Sequence, residues 1–280
     1  MPGAWDTLTI DGEDRAGDHA LLGLERTGDR QAAFTLTAPL ARFDGRLFGG
    51  TAIGVAVALA EAETGRTALW TTVQFIDARS DVGDRFDCTT ELLAEGGSAA
   101  QVRVTAFVGD REIFCAIGST AHPKSGRIEA TFETMPRVTT PDESDPLFLP
   151  IPESLRDEAK RRVRNIEMLN AAPLADSTTD RPHLTIWARV PGRVATPAVM
   201  AYLADMVPMS IARAAQRAGG GTSLDNSMRF AGATADEWVL LELDPQMASG
   251  GYGHGSVLVW SPDGDLLATG GQTTSLLLFD

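Results

Sequence analysis

One order of elements occurs twice in this chain of 280 residues, and it restricts the fold more than any other feature. Residues 43–65, FDGRLFGGTAIGVAVALAEAETG, lead through two adjacent glycines into an apolar run rich in Ala and Leu that closes on Gly65. That is the pattern of a buried helix with a permissive entrance. Residues 70–76, 86–93, 99–108 and 112–119 follow, each β-branched or aromatic and each set off by Gly and Asp, so they read as antiparallel strands joined by short turns. Further on, residues 166–170 and 184–190 (LTIWARV) read as strands. Thr196 then caps a helix that opens on Pro197, runs through AVMAYLADMVPMSIARAAQRA and stops at the glycines 219–221. Strand-like runs return at 223–230, 237–243, 255–260 and 266–279. Placing Phe75 on Phe230 and Asp84 on Asp236 gives an internal period of about 150 residues, too long for a solenoid and therefore a duplicated domain. A helix that covers one apolar sheet, present twice, predicts an α+β fold whose sheets join edge to edge or back to back.

The two halves are separated by residues 125–160, which are rich in proline, carry the acidic cluster PDESD at 141–145 and have little periodicity. The expected domains are 1–124, a linker over 125–160, and 161–280. An excess of 38 acidic over 24 basic residues leaves a net charge of −14, which repels nucleic acid and anionic membrane surfaces. The opening residues are acidic and do not form a secretion signal, and no run of 18 charge-free apolar residues exists, so a cytoplasmic protein without a membrane span is expected. Cys88 and Cys115 lie in strand-like runs and read as buried free thiols. The four histidines show no metal-ligand spacing, and the Gly-rich residues 250–255 are followed by a strand rather than a helix. Neither metal nor cofactor is expected, and GGYGHG reads as a turn between strands.

A long helix wrapped by an antiparallel sheet, present twice, resembles the double hotdog fold, and three segments make the chain similar to the acyl-CoA thioesterase II family. These are GRLFGGTAIGVAVALA at 45–60, YLADM at 202–206, and SLDNSMRF at 223–230 together with ASGGYGHGSVLVWSPDGDLLATGGQ at 248–272. The resemblance implies an acyl-CoA substrate and further association into homo-oligomers, although a duplicated hotdog already imitates a dimer of single ones. It places the catalytic set on Asp205, Ser223 and Gln272, with Ser223 standing where the family usually has Thr. The chain departs from the family at Asn226 (usually His), Arg229 (usually Trp) and Thr273 (commonly acidic).

The chemistry of a thioester suits such a set. Its leaving thiolate, with a pKa near about 8.5, needs little protonation, so what remains is to aim a water and to stabilise an oxyanion. Asp205 can take the water's proton, Ser223 and Gln272 can hold the water, and the amides of Gly49 and Gly50 at a helix start can face the carbonyl oxygen. Pro208 should kink the helix beside Asp205, and strand alternation should place Asp225 on the same face as Ser223. The first helix has no carboxylate between Gly49 and Ala60, so one active site per chain is expected. The basic run KRRVR at 160–164 reads as a solvated face or as a contact for the phosphates of coenzyme A, and Arg213, Arg217 and Arg229 are further candidates for such a contact. Two rivals share the fold: a non-catalytic acyl-CoA binding or sensing protein, and a thioesterase for an acyl carrier protein, which would need a basic docking surface.

Overall fold

The computed structural model describes residues 8–124, 128–148, 165–174 and 183–279. Strands β1 (Thr9–Ile10) and β2 (Glu13–Asp14) pair with each other and lead into α1 (Ala16–Leu22). The first half continues with β3 (Glu25–Gly28), β4 (Gln31–Thr35), α2 (Gly49–Thr64), β5 (Thr67–Phe75), β6 (Arg85–Glu95), β7 (Ala99–Val108) and β8 (Arg111–Ala121). The second half holds β9 (Asp145–Pro146), β10 (Glu167–Asn170), β11 (Leu184–Arg189), α3 (Pro197–Leu203) and α4 (Val207–Ala214). It ends with β12 (Ala218–Phe230), β13 (Val239–Ser249), β14 (Tyr252–Trp260) and β15 (Leu266–Phe279).

All strands from β3 onward form one antiparallel sheet in the order β3-β4-β6-β7-β8-β5-β12-β15-β14-β13-β11-β10-β9. The halves therefore meet edge to edge: β5 pairs with β12, with Trp70 opposite Arg229 and Val73 opposite Asn226, and Thr72 Oγ1 lies 2.7 Å from Ser227 Oγ across the seam. Joining two edges this way removes two rows of unpaired backbone groups. Within the segment expected as a linker, Val138 bridges Pro173 and β9 pairs with β10, so part of it joins the second half.

The sheet wraps α2 and α3, which lie side by side and antiparallel. Residues 49–61 of α2 are all buried, which explains why the helix is apolar on every side instead of along one stripe. Close packing of the two backbones depends on glycine. A β-carbon on Gly50 would run into the carbonyl of Tyr202, and one on Gly54 would stand 3.2 Å from the carbonyl of Ala198. Gly65, at φ 64°, ends α2 as the sequence predicts. At the end of the pair away from Gly49, α1 brings in a buried polar group. Arg15 Nε lies 3.3 Å from Glu61 Oε2, Glu61 Oε1 accepts from the Ala68 amide at 2.8 Å, and Asp18 Oδ2 accepts from Thr196 Oγ1 at 2.9 Å. Burial pushes Glu61 up to about 7 and Asp18 up to about 6, and it lowers His19 to about 4.

Two expectations need correction here. The glycines 219–221 do not stop a helix; α4 ends at Ala214 and the glycines lie inside β12, where Gly221, like Gly253 on β14, lets α4 sit close on the sheet. A β-carbon on Gly221 would stand 3.2 Å from Pro208, and one on Gly253 of β14 2.8 Å from Ile211. Cys88 is buried but Cys115 is only half-buried, because it points to the outer face of β8 between the inward Phe114 and Ala116. Among the described residues, no helix is long and apolar enough to cross a membrane.

Candidate active site

Asp205 lies in a break between two helices. A single kinked helix is the sequence expectation, but α3 ends at Leu203, residues 204–206 turn, and α4 starts at Val207 with Pro208 in its first turn. A proline there loses nothing, since first-turn amides have no intrahelical partner, whereas mid-helix it would collide with the carbonyl of Ala204. The chain resolves the conflict by starting a new helix, and the turn holds Asp205 with 7% of its surface exposed.

A bulge in β12 supplies its partners. Ser223 is opposite Thr274 and Asp225 is opposite Thr273, so Leu224 is an extra residue on β12. Past the bulge the faces exchange: Asn226 is opposite Gln272, and both point inward, at 2% and 5% exposure. Ser223, Asn226 and Gln272 therefore share the inner face, while Asp225 does not join them, contrary to simple alternation. Its carboxylate instead accepts the Thr273 amide at 2.8 Å at the bulge.

Three donors converge on one oxygen. Asp205 Oδ1 accepts from Gln272 Nε2 at 2.5 Å, from Asn226 Nδ2 at 3.1 Å and from Ser223 Oγ at 3.4 Å, and Gln272 Nε2 also reaches Ser223 Oγ at 2.6 Å. Gln272 Oε1 is buried and has no hydrogen-bond partner among the described residues. On the other side, a β-carbon on Gly49 would stand 2.6 Å from Asp205 Oδ2, so the carboxylate faces the positive end of α2, where the N-cap residue is Phe48, whose side chain cannot cap the helix. Gly50 is turned toward α3. The structure thus brings Asp205, Ser223, Gln272 and Gly49 together from α2, the α3–α4 break, β12 and β15, and it adds Asn226, which sequence reading registers only as a departure.

The other departures face elsewhere. Thr273 lies on the opposite face of β15 from Gln272, 3.2 Å from His254 Nδ1, and Arg229 is exposed on β12. Arg213 and Arg217 are exposed beyond Asp205 on α4 and after it, and the run KRRVR at 160–164 lies outside the described residues. Near the site, Arg42 is bound to Asp44 at 2.8 Å and donates to the Gly221 carbonyl and to Thr222 Oγ1 at 3.2 and 3.0 Å, tying the entrance of α2 to β12. No group of three or more His, Cys, Asp or Glu side chains arranged to hold a metal occurs among the described residues.

A helix pair wrapped by one continuous antiparallel sheet, with a buried carboxylate at the helix crossing, defines a double hotdog protein. Residues 37–121 match the acyl-CoA thioesterase N-terminal domain and residues 138–276 the acyl-CoA thioesterase C-terminal domain. A provisionally assigned thioesterase from Novosphingobium aromaticivorans is 30% identical and superimposes with a TM-score of 0.80 over 92% of this chain and 99% of its own. The chain belongs to the acyl-CoA thioesterase family. The fold is shared with acyl-CoA thioesterase II TesB2 of Mycobacterium marinum, at 20% identity and a TM-score of 0.70 over 94% of this chain and 99% of that one. It is also shared with a tesB protein of Mycobacterium avium subspecies paratuberculosis, at 21% identity and a TM-score of 0.70 over 94% and 98%. A comparison with curated protein sequences found no match.

Proposed function

We propose that this protein hydrolyses acyl-CoA thioesters to a free acid and coenzyme A, with Asp205 as general base. The observation that carries the reading is the convergence of Gln272, Asn226 and Ser223 on Oδ1 of a carboxylate buried against the start of α2. Asp205 accepts a proton from a water held by Ser223 Oγ and by Gln272, whose buried Oε1 can accept the water's second hydrogen. The water oxygen bonds to the thioester carbon, and the amides of Gly49 and Gly50 at the positive end of α2 face the resulting oxyanion. As the carbonyl re-forms, the C–S bond breaks; the thiolate leaves and takes up the proton held by Asp205. One centre per chain is the consistent reading, since α2 runs unbroken and has no carboxylate before Glu61.

The test is release of free thiol from acyl-CoA substrates of increasing chain length, comparing the native chain with Asp205→Asn. Loss of a general base lowers kcat by about 10²- to 10⁴-fold with binding retained. Tight acyl-CoA binding without turnover in the native chain would make it a binding or sensing protein instead. Turnover confined to acyl carrier protein thioesters would move the substrate class. In H₂¹⁸O, a general base leaves Asp205 unlabelled after a single turnover, whereas label in the Asp205 carboxylate would reveal a mixed anhydride opened at the aspartyl carbonyl.

A further inference from the structure

We propose that Asn226 is a positioning residue for thioester hydrolysis, holding Asp205 Oδ1 so that Ser223 and Gln272 are left to hold the attacking water. The inference rests on the hydrolase reading and deepens it. Of the three side chains on Oδ1, Ser223 and Gln272 are also bonded to each other, with Gln272 Nε2 shared between Asp205 and the serine hydroxyl. Both must rearrange their hydrogen bonds when a water enters between them. Asn226 Nδ2 donates to Asp205 at 3.1 Å from a side chain only 2% exposed.

Its backbone position is over-determined. Asn226 is paired on one side with Gln272 of β15 and on the other with Val73 of β5, at the seam between the halves, so its carboxamide projects from the most constrained part of the sheet. Asp205, by contrast, sits in a turn between two short helices. A rigid donor on a paired strand is thus set against a carboxylate on an irregular segment, and the donor fixes the carboxylate's rotamer. A carboxamide also suits the task chemically. It neither gains nor loses a proton near neutrality, so it orients the base without competing for the proton that the base must take. The bulge at Leu224 is what makes this contact possible; without it Asn226 would point to the outer face and Asp225 inward.

The experiment compares Asn226→Leu, which keeps the branched skeleton and removes the donor, with Asn226→Asp, which keeps the shape and replaces donor by acceptor, and with Asn226→His, which restores an N–H donor. Thiol release from an acyl-CoA gives kcat and KM separately, and thermal unfolding gives the folded fraction at the assay temperature. The expected result is a kcat for Asn226→Leu lower by about 10- to 100-fold at nearly unchanged KM, as for a misplaced catalytic group, with a larger loss in Asn226→Asp and recovery to within about tenfold of the native value in Asn226→His. A native kcat in folded Asn226→Leu, or a loss accounted for by unfolded protein, overturns the inference while the hydrolase reading stands on the collapse of Asp205→Asn. A native chain with no turnover overturns both.

Discussion

At the scale of single residues, buried ionisable groups lie at both ends of the helix pair, Asp205 at one and the group of Arg15, Asp18, His19 and Glu61 at the other. Asp205 is surrounded by neutral donors. The other group has no part in the proposed chemistry, and its effect is on stability. Burial raises Glu61 from 4.5 to about 7, outweighing the neighbouring Arg15 guanidinium and the Ala68 amide that favour its charge. A folded-state value above the unfolded one means that the folded chain binds the proton more tightly, so this contribution is complete below about pH 4.5 and is lost as pH rises through about 7. Asp18 acts with the same sign between 3.8 and about 6. His19, lowered from 6.5 to about 4, has the opposite sign; its contribution is present above pH 6.5 and is lost as pH falls toward 4. Glu61→Gln should therefore show a smaller fall in Tm than the native chain between pH 5 and 8. Parallel Tm curves in the two proteins would show that Glu61 carries none of the dependence.

At the scale of elements, the two glycines that open α2 have separate tasks. Gly50 faces the backbone of α3, where a β-carbon would strike the Tyr202 carbonyl, and Gly49 faces Asp205. Gly50→Ala should lower unfolding stability in urea by about 3 kcal/mol, the upper end of an overpacking cost, because helix backbone cannot move aside as a side chain can. Gly49→Ala, whose β-carbon would stand 2.6 Å from Asp205 Oδ2, should instead cost about 10²-fold in kcat by displacing the carboxylate, with a smaller effect on stability. Equal effects of the two substitutions on stability and turnover would refute this division. The same scale explains what was legible in the sequence. Apolar runs bounded by Gly, Pro and Asp locate α2 and most strands to within a few residues, because burial against one face imposes a period on the chain. Local deviations were harder to read: Pro208 signals a kink beside Asp205 but not the full break at 204–206, and the bulge at Leu224, which reverses which side chains of β12 face inward, leaves no mark on the hydrophobic pattern.

At the scale of the whole molecule, the candidate site belongs to neither half alone. Gly49 and α2 come from the first, while Asp205, Ser223, Asn226 and Gln272 come from the second, and β12 needs β5 to complete its edge. Fragments 1–124 and 125–280 produced separately should each lack thiol release, and their co-expression should restore it. Activity in the second fragment by itself would show that α2 contributes nothing to the reaction. Cutting between the halves would also expose a β-strand edge and the apolar face of a helix on each, so aggregation of the single fragments is expected.

The sequence by itself determined the duplication and an α+β fold, because a repeated order of buried elements is a property of the linear chain, and its resemblance to a known family pointed to the double hotdog class and to Asp205, Ser223 and Gln272 as candidates. Only the tertiary structure decided that the sheets join through β5 and β12, that Asn226 rather than Asp225 meets Asp205, and that Gly49 faces the carboxylate while Gly50 packs on α3. Those outcomes depend on which face a side chain takes after a one-residue insertion and on how closely two backbones approach. Both are set by contacts between segments distant in the chain, to which the local pattern of hydrophobicity is blind.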